Sequence, residues 1–357
     1  MSERSRRVGK TLVVVAVILL VVLLLLLPPT QDLLRKYLVD PFSPQYPEEV
    51  HMEFVRTLTL DANGGVITSY TVDLPRPVSI VDDSNHLQKV DRLAVSPPYD
   101  HLWDNGTYDS MFWEGEDLYG TFTLTMTIEV TQSIKVWKFD EEKVLDKDAV
   151  PLYYQDSYLD DEWRIIVNDP EIEALREDIV GNETNVYLIA KAIYDWIDEN
   201  VDYYIWNTVD GPLSSLQTLE ELKGDCDDQS ILFCALARSA GVPAWLQLGA
   251  VYSSGNGEMG GHAWVQMFMP TEDGGTNVTI DIVNDKFLVW MPNLFCEYTD
   301  NGNADDLYNA YHHVRYSIPD STPLNHRPLY TETWEMVSYE ESEEAVTLEV
   351  VMAREEF

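Results

Sequence analysis

The chain has 357 residues, 62 of them Asp or Glu against 23 Lys or Arg, for a formal charge of −39. A balance this acidic excludes nucleic acid and anionic lipid as electrostatic partners. Three cysteines are too few for a disulfide framework, so free buried thiols are expected, with a Cys234–Cys296 pair as the alternative.

The first ten residues are a basic tail with Arg4, Arg6, Arg7 and Lys10. Residues 11–27, "TLVVVAVILLVVLLLLL", follow without a charge, and Pro28-Pro29 ends the run. At about 1.5 Å per residue such a run just spans a bilayer core. It is long for the apolar part of a cleaved signal and lacks a small-x-small cleavage site, so it reads as an uncleaved single-pass signal anchor. The basic tail then stays in the cytoplasm and the rest lies outside. A cleaved signal peptide is the alternative and leads outside as well. Beyond Pro28 stand 19 basic and 61 acidic residues. That excess and the scarcity of Lys fit a salt-tolerant prokaryote, with an archaeon as the expectation. Sequons at Asn105, Asn182 and Asn277 suit an outside location.

Residues 28–49 read as a linker, Pro-punctuated in "PFSPQYPEE". Residues 50–140 alternate in "VHMEFVRTLTLD" and "VITSYTVDLP" around "NGG", and "GTFTLTMTIEVTQSIKVWKF" is β-branched and aromatic. These are signs of a small antiparallel β domain. Near Pro170 the period changes. "TNVYLIAKAIYDWIDENV" sets Val186, Ile189, Ile193, Trp196 and Ile197 on one helical stripe. "VDYYIWNTVDGPLSSLQTLEELKGDC" reads as a helix end and a loop. "CDDQSILFCALARSAGVPAW" is a second helix, closed at Gly241 and Pro243. Three strand-like runs follow, "AWLQLGAVY", "HAWVQMFMP" and "NVTIDIVND", with a turn at "TEDGG". Helix, helix and an antiparallel meander make an α+β domain over 165–318, followed by a C-terminal extension, 319–357.

Cys226 opens the second helix in "LKGDCDDQS", beside Asp225, Asp227 and Asp228. A helix N-terminus favours a thiolate, and the same aspartates are natural helix-start residues. On a helix Asp227 and Asp228 turn away from Cys226, toward solvent or a neighbouring loop. His262 opens a strand, and alternation puts His262, Trp264 and Gln266 on one face. A turn near Thr271 sets His262 opposite Asp281; one centred on Asp273-Gly274 sets it opposite Asp285. A thiol, a histidine that moves its proton and a carboxylate that orients the histidine suffice to cleave an amide or ester.

"TLEELKGDCDDQSILFCALARSAGVPAW", "GGHAWVQMFMP" and "TIDIV" together resemble the transglutaminase-like superfamily over roughly residues 165–290. The resemblance implies a papain-like core with a triad of Cys226, His262 and Asp281, no cofactor or metal, and a protein or peptide substrate. It implies acyl transfer through a thioester, with hydrolysis expected over cross-linking. The chain departs from the usual Asp-Pro at the third triad position, where it has Asp281-Ile282. The other reading is a non-catalytic module of this fold that binds peptide or glycan at the cell surface.

Trp206, Trp245 and Trp264 are candidates for a peptide groove, each more often a core aromatic when taken singly. His312-His313 makes a poor chelate, because adjacent strand positions point to opposite faces. "DNGNADD", residues 300–306, has the composition of a calcium loop without its spacing and reads as a solvated acidic loop.

Overall fold

The alternation in residues 50–60 is realised residue by residue. In the computed structural model, which describes residues 44–82, 85–104, 106–206 and 211–348, strand β1 (Glu49–Asp61) buries every second side chain from Val50 to Leu60. Asn63 and Gly64 turn the chain with φ of 50° and 76°, as an Asn-Gly pair does at least cost. Strands β2 (Ile67–Pro75), β3 (Asn85–Ser96), β4 (Asp109–Leu118) and β5 (Thr121–Ser133) follow.

Five helices come next: α1 (Leu152–Tyr158), α2 (Pro170–Val180), α3 (Val186–Asn200), α4 (Ser215–Glu221) and α5 (Cys226–Ser239). Helix α3 buries Val186, Ile189, Ile193 and Ile197 as the stripe requires. Helix α4 falls in a segment read as loop. Its signal is a capping box, in which Ser214 and Gln217 satisfy each other's backbone N–H groups. Strands β6 (Ala244–Ser253), β7 (Glu258–Met269), β8 (Thr276–Asp281) and β9 (Leu294–Thr299) form the next sheet. Then come α6 (Ala304–Tyr311), β10 (Val314–Ser317) and β11 (Leu329–Glu341).

Among the described residues three antiparallel sheets have four or more strands. The first has the order β11, β1, β5, β3 and the short strand Ile80–Asp82; the second has β10, β2, β4 and His101–Asp104. The third runs Lys286–Phe287, β8, β7, β6, β9. The C-terminal segment therefore closes back on the start of the chain, since β11 pairs along β1 from Leu329↔Asp61 to Glu341↔Val50. The expected C-terminal extension, residues 319–357, thus supplies an edge strand of the first sheet.

Residues Pro47–Glu343 make one compact unit, and the short strands Gln45–Pro47 and Ala345–Thr347 pair with each other. The expected transmembrane segment, residues 11–27, lies outside the described residues, as does Asn105. Among the described residues no helix is long and apolar enough to cross a membrane.

One apolar core joins the sheets. Met52, Phe54, Met126 and Ile128 of the first sheet and Val72, Leu74, Met111 and Trp113 of the second meet Ala250, Met259 and Phe295 of the third. Phe54 and Phe295 touch edge to face at 4.9 Å. Each such large side chain contributes about 1.5–3 kcal/mol on burial. Gly249 on β6 is dictated by the crossing with β9, because a Cβ there would stand 1.8 Å from the Phe295 carbonyl oxygen.

Arg56 breaks the apolar stripe of β1. It is 4 % exposed. Its Nη1 donates to both Glu297 oxygens at 2.6 and 2.7 Å, and its Nε donates to Glu332 Oε1 at 2.8 Å. The guanidinium lies 4.7 Å over the Trp334 ring. Strands β1, β9 and β11 are thus tied through one buried cation. Removing it leaves the Glu297 carboxylate, only 10 % exposed, without its cation and takes from Glu332 one of its partners, which costs about 3–5 kcal/mol. Arg56→Ala is therefore expected to lose about that much stability, read from the midpoint of denaturant unfolding.

Candidate active site

Helix α5 is anchored at both ends. At its start Asp225 and Asp228 form a capping box, and Asp228 also accepts the Leu213 N–H at 2.7 Å. Gly224 precedes them because a Cβ there would come within 2.3 Å of Asp228 Cβ. At its end Arg238, 3 % exposed, donates to the Ala244 carbonyl at 2.8 Å and to Glu162 at 3.0 Å, with Asp300 at 3.5 Å. Every residue between Asp228 and Arg238 is buried. The helix has no free direction in which to shift, so Cys226 at its first position is fixed.

His262 lies within β7 rather than at its start, which is Glu258. Strand β8 pairs with β7 from Met269↔Thr276 to Val265↔Ile280. That register lies midway between the two turn placements considered from sequence and sets Asp281 diagonal to His262. His262 Nε2 and Asp281 Oδ2 are 2.9 Å apart, both residues buried. After Asp281 the chain leaves the sheet in a 3-10 turn, Ile282–Asn284, and Asp285 adopts a left-handed φ of 56°. Asp281, not Asp285, is the partner of the histidine.

The turn returns Asn284, whose Nδ2 donates to Asp281 Oδ2 at 2.8 Å and stands 3.2 Å from His262 Nε2. An amide nitrogen is a donor only. It locks the carboxylate and leaves Nε2–H of the imidazole as donor to Asp281. Nδ1 then carries the lone pair, and no hydrogen bond among the described residues engages it. Asn284 carries no signal in the sequence, because its position depends on the turn.

The Cys226 sulfur is hydrogen-bonded by the backbone of Ala263, the residue after the histidine. The start of the cysteine helix therefore lies against the histidine strand next to His262. Thiolate stabilisation by the helix start does not prevail, however. Burial first, then Asp227 and Asp225, push the thiol well above its ordinary range, with only the Ala263 hydrogen bond opposing among the leading causes. Burial pulls His262 down, but Asp281, Asp227 and Asp225 outweigh it and raise it. The resting pair is a neutral thiol beside a basic imidazole.

The aspartates divide their work. Asp228 is buried and spent on capping. Asp227 is half-buried, accepts the Tyr311 hydroxyl at 2.8 Å, and is pushed up to about 7 by burial and then Asp225. Tyr311 comes from α6 and was not legible as a site residue. Asp225, Cys226 and Asp227 place possible ligand atoms within 4.8 Å. Two of the three are already committed, to the helix cap and to Tyr311, so no cation role follows. A recess of about 80 Å³ beside them is lined by Trp206, Leu213 and the aspartates.

Of the groove candidates, Trp206 alone lines that recess. Trp245 is buried against Tyr154 and Tyr158, and Trp264 is buried with its indole N–H on Gln247 at 2.8 Å. Both are core aromatics. Cys234 and Cys296 are buried free thiols. His313 bonds Glu332 at 3.0 Å while His312 stacks on Tyr308. In "DNGNADD", Asp300 is buried against Arg238 and Asn303 caps α6, while Asn303, Ala304 and Asp305 are exposed, so the segment is anchored at its first residue and solvated beyond it.

Residues 173–282 match the transglutaminase-like superfamily, a span that contains Cys226, His262 and Asp281. The chain carries a transglutaminase-like domain. A "putative cysteine protease" from Cytophaga hutchinsonii has a similar fold, with a TM-score of 0.57 at 19 % identity, over 87 % of this chain and 94 % of that one. The fold likeness thus extends well beyond the transglutaminase-like domain itself. The periplasmic domain of TgpA from Pseudomonas aeruginosa aligns at a TM-score of 0.35 and 10 % identity over 65 % of this chain and 88 % of that one. An uncharacterised protein of Haemophilus influenzae is 34 % identical over 96 residues, 25 % of this chain and 26 % of that protein. The chain spans about a quarter of that relative's length.

Removing the charge of Asp227 lowers the barrier to ionising Cys226. Asp227→Asn is therefore expected to speed alkylation of Cys226 by iodoacetamide about three- to tenfold above pH 7, where Asp227 is ionised. Below pH 7 the two proteins converge, because the wild-type carboxyl is then protonated. Site-resolved mass spectrometry reads the rates.

Proposed function

We propose that the chain is a cysteine-dependent acyl transfer enzyme acting on protein or peptide amides, with Cys226 as nucleophile, His262 as base and acid, and Asp281 as orienting carboxylate. The observation that carries this reading is the 2.9 Å His262–Asp281 bond set against a cysteine held by the next residue of the same strand.

With a neutral resting thiol, proton removal and attack are coupled. His262 Nδ1 takes the thiol proton as Sγ bonds to the substrate carbonyl carbon. The carbonyl oxygen becomes an oxyanion near the start of α5. There the Asp225 carboxylate takes the N–H groups of Asp227 and Asp228, leaving the Cys226 N–H to face the oxyanion. The imidazolium, held upright by Asp281, gives the proton to the leaving amine as the C–N bond breaks and a thioester remains. Water, deprotonated by His262, then releases the acid and restores the thiol. An amine in place of water would give a cross-link. The recess beside Cys226 measures only about 80 Å³, which admits water more readily than a lysine side chain, so hydrolysis is proposed over cross-linking. Residues 11–27 would hold the enzyme at the membrane with its site outside.

The test is product analysis of the full-length protein incubated with dimethylated casein and a fluorescent primary amine in ¹⁸O water. Cleaved or deamidated peptides carrying ¹⁸O, absent with Cys226→Ala, are expected. Amine incorporation outrunning ¹⁸O incorporation would reverse the choice of acceptor, and no Cys226-dependent product of either kind would remove the enzyme reading.

A further inference from the structure

On the face of the third sheet that carries His262, four residues further along β7, Gln266 opens onto a second recess. At about 3.3 Å per residue the two positions are about 13 Å apart. Trp264, wholly buried, stands between them on the same face, so the recess is separate from the cysteine site. Its volume is about 230 Å³, well above the roughly 10–15 Å³ that a single water requires.

The walls are polar, and two donors in them are unspent. Gln266 is only 6 % exposed. Its oxygen accepts the Trp245 indole N–H at 3.0 Å, while its amide nitrogen makes no hydrogen bond among the described residues. Asn277 repeats the arrangement, with its oxygen taken by the Tyr154 hydroxyl at 3.0 Å and its nitrogen unengaged. An occupied Asn277 side chain at a recess also makes a poor glycan attachment point. Acceptors face these donors. Asp82, 7 % exposed, accepts the Thr276 hydroxyl at 2.8 Å and stands 2.7 Å from Lys135 Nζ. Thr299 adds a hydroxyl that already accepts from Gln247 at 3.0 Å. The carboxylate is matched by the lysine, so the recess is electrically balanced in a chain of −39. Ile80, Val81 and Leu87 supply an aliphatic side.

A cation or anion gains nothing in a balanced pocket, and an apolar ligand would strand the amide nitrogens. The complementary molecule is neutral, offers several groups that both accept and donate, and has a C–H face for the aliphatic side. We propose that this recess binds a neutral sugar unit, with the Gln266 and Asn277 amides donating to its oxygens and Asp82 accepting from a hydroxyl. The site is independent of turnover at Cys226.

Ligand-observed saturation-transfer NMR on the full-length protein tests this with D-glucose, D-galactose and N-acetyl-D-glucosamine. Two variants accompany the wild type. Val81→Trp fills the mouth from a rim position that is 51 % exposed, leaving the interior hydrogen bonds in place. Gln266→Glu keeps the acceptor for Trp245 and converts the free donor to an acceptor. Saturable binding of at least one sugar, weakened at least tenfold by each variant while thermal unfolding of Val81→Trp stays as wild type, is the expected result. No saturable binding of any of the three, or binding unchanged in either variant, overturns the proposal.

Discussion

The register of the β7–β8 hairpin is the constraint on which the site rests. One residue of slip would turn Asp281 to the opposite face and leave His262 buried without a partner. The chain fixes that register from both sides. Val265, Met267, Val278 and Ile280 are all buried on the strands, and the 3-10 turn after Asp281 ends the pairing where Asn284 can return to grip the carboxylate. The cysteine arrives separately, on a helix whose two ends are held by buried polar groups. Strand and helix then meet at the Ala263 backbone. The helix start and the hairpin come from distant parts of the sequence, and each is left little freedom.

The acidity of the chain reaches into the site. In many surroundings a helix start would lower a thiol's pKa, but here burial and two aspartates reverse the sign. The same aspartates raise His262. The design therefore favours an imidazole that is a strong base over a thiolate that is already formed. In concentrated salt, partly exposed carboxylates are screened, so the opposition to ionisation weakens there. Asp225 is present despite this because it caps the first turn of α5 with Asp228, and Asp227 because it holds the Tyr311 hydroxyl.

Much of this was legible in the sequence, and the parts that were not share a cause. Strand alternation in β1, the stripe of α3 and the closure of α5 at Gly241 follow from local period and spacing. The choice between Asp281 and Asp285 could not, because it turns on a register that differs from either simple turn placement. Asn284 and Tyr311 were invisible because each acts through a tertiary contact. The last strand, β11, was missed because its partner lies some 280 residues away in β1, and alternation alone does not name a partner. Arg56 sits in an apolar stripe that periodicity marks as core, and only the convergence of Glu297 and Glu332 explains a cation there. Trp245 and Trp264 followed the commoner fate of aromatics in a sheet.

The central claim is that Cys226, His262 and Asp281 act as one acyl transfer unit. The most direct measurement is the rate at which p-nitrophenyl acetate acetylates each cysteine of the full-length protein, located by mass spectrometry, in wild type and His262→Ala. The account predicts acetyl transfer to Cys226 alone among the three cysteines, slowed about 100-fold or more in the variant, the scale of a lost general base. Equal acetylation of Cys226 with and without His262, or modification of Cys234 and Cys296 at the same rate, would contradict it.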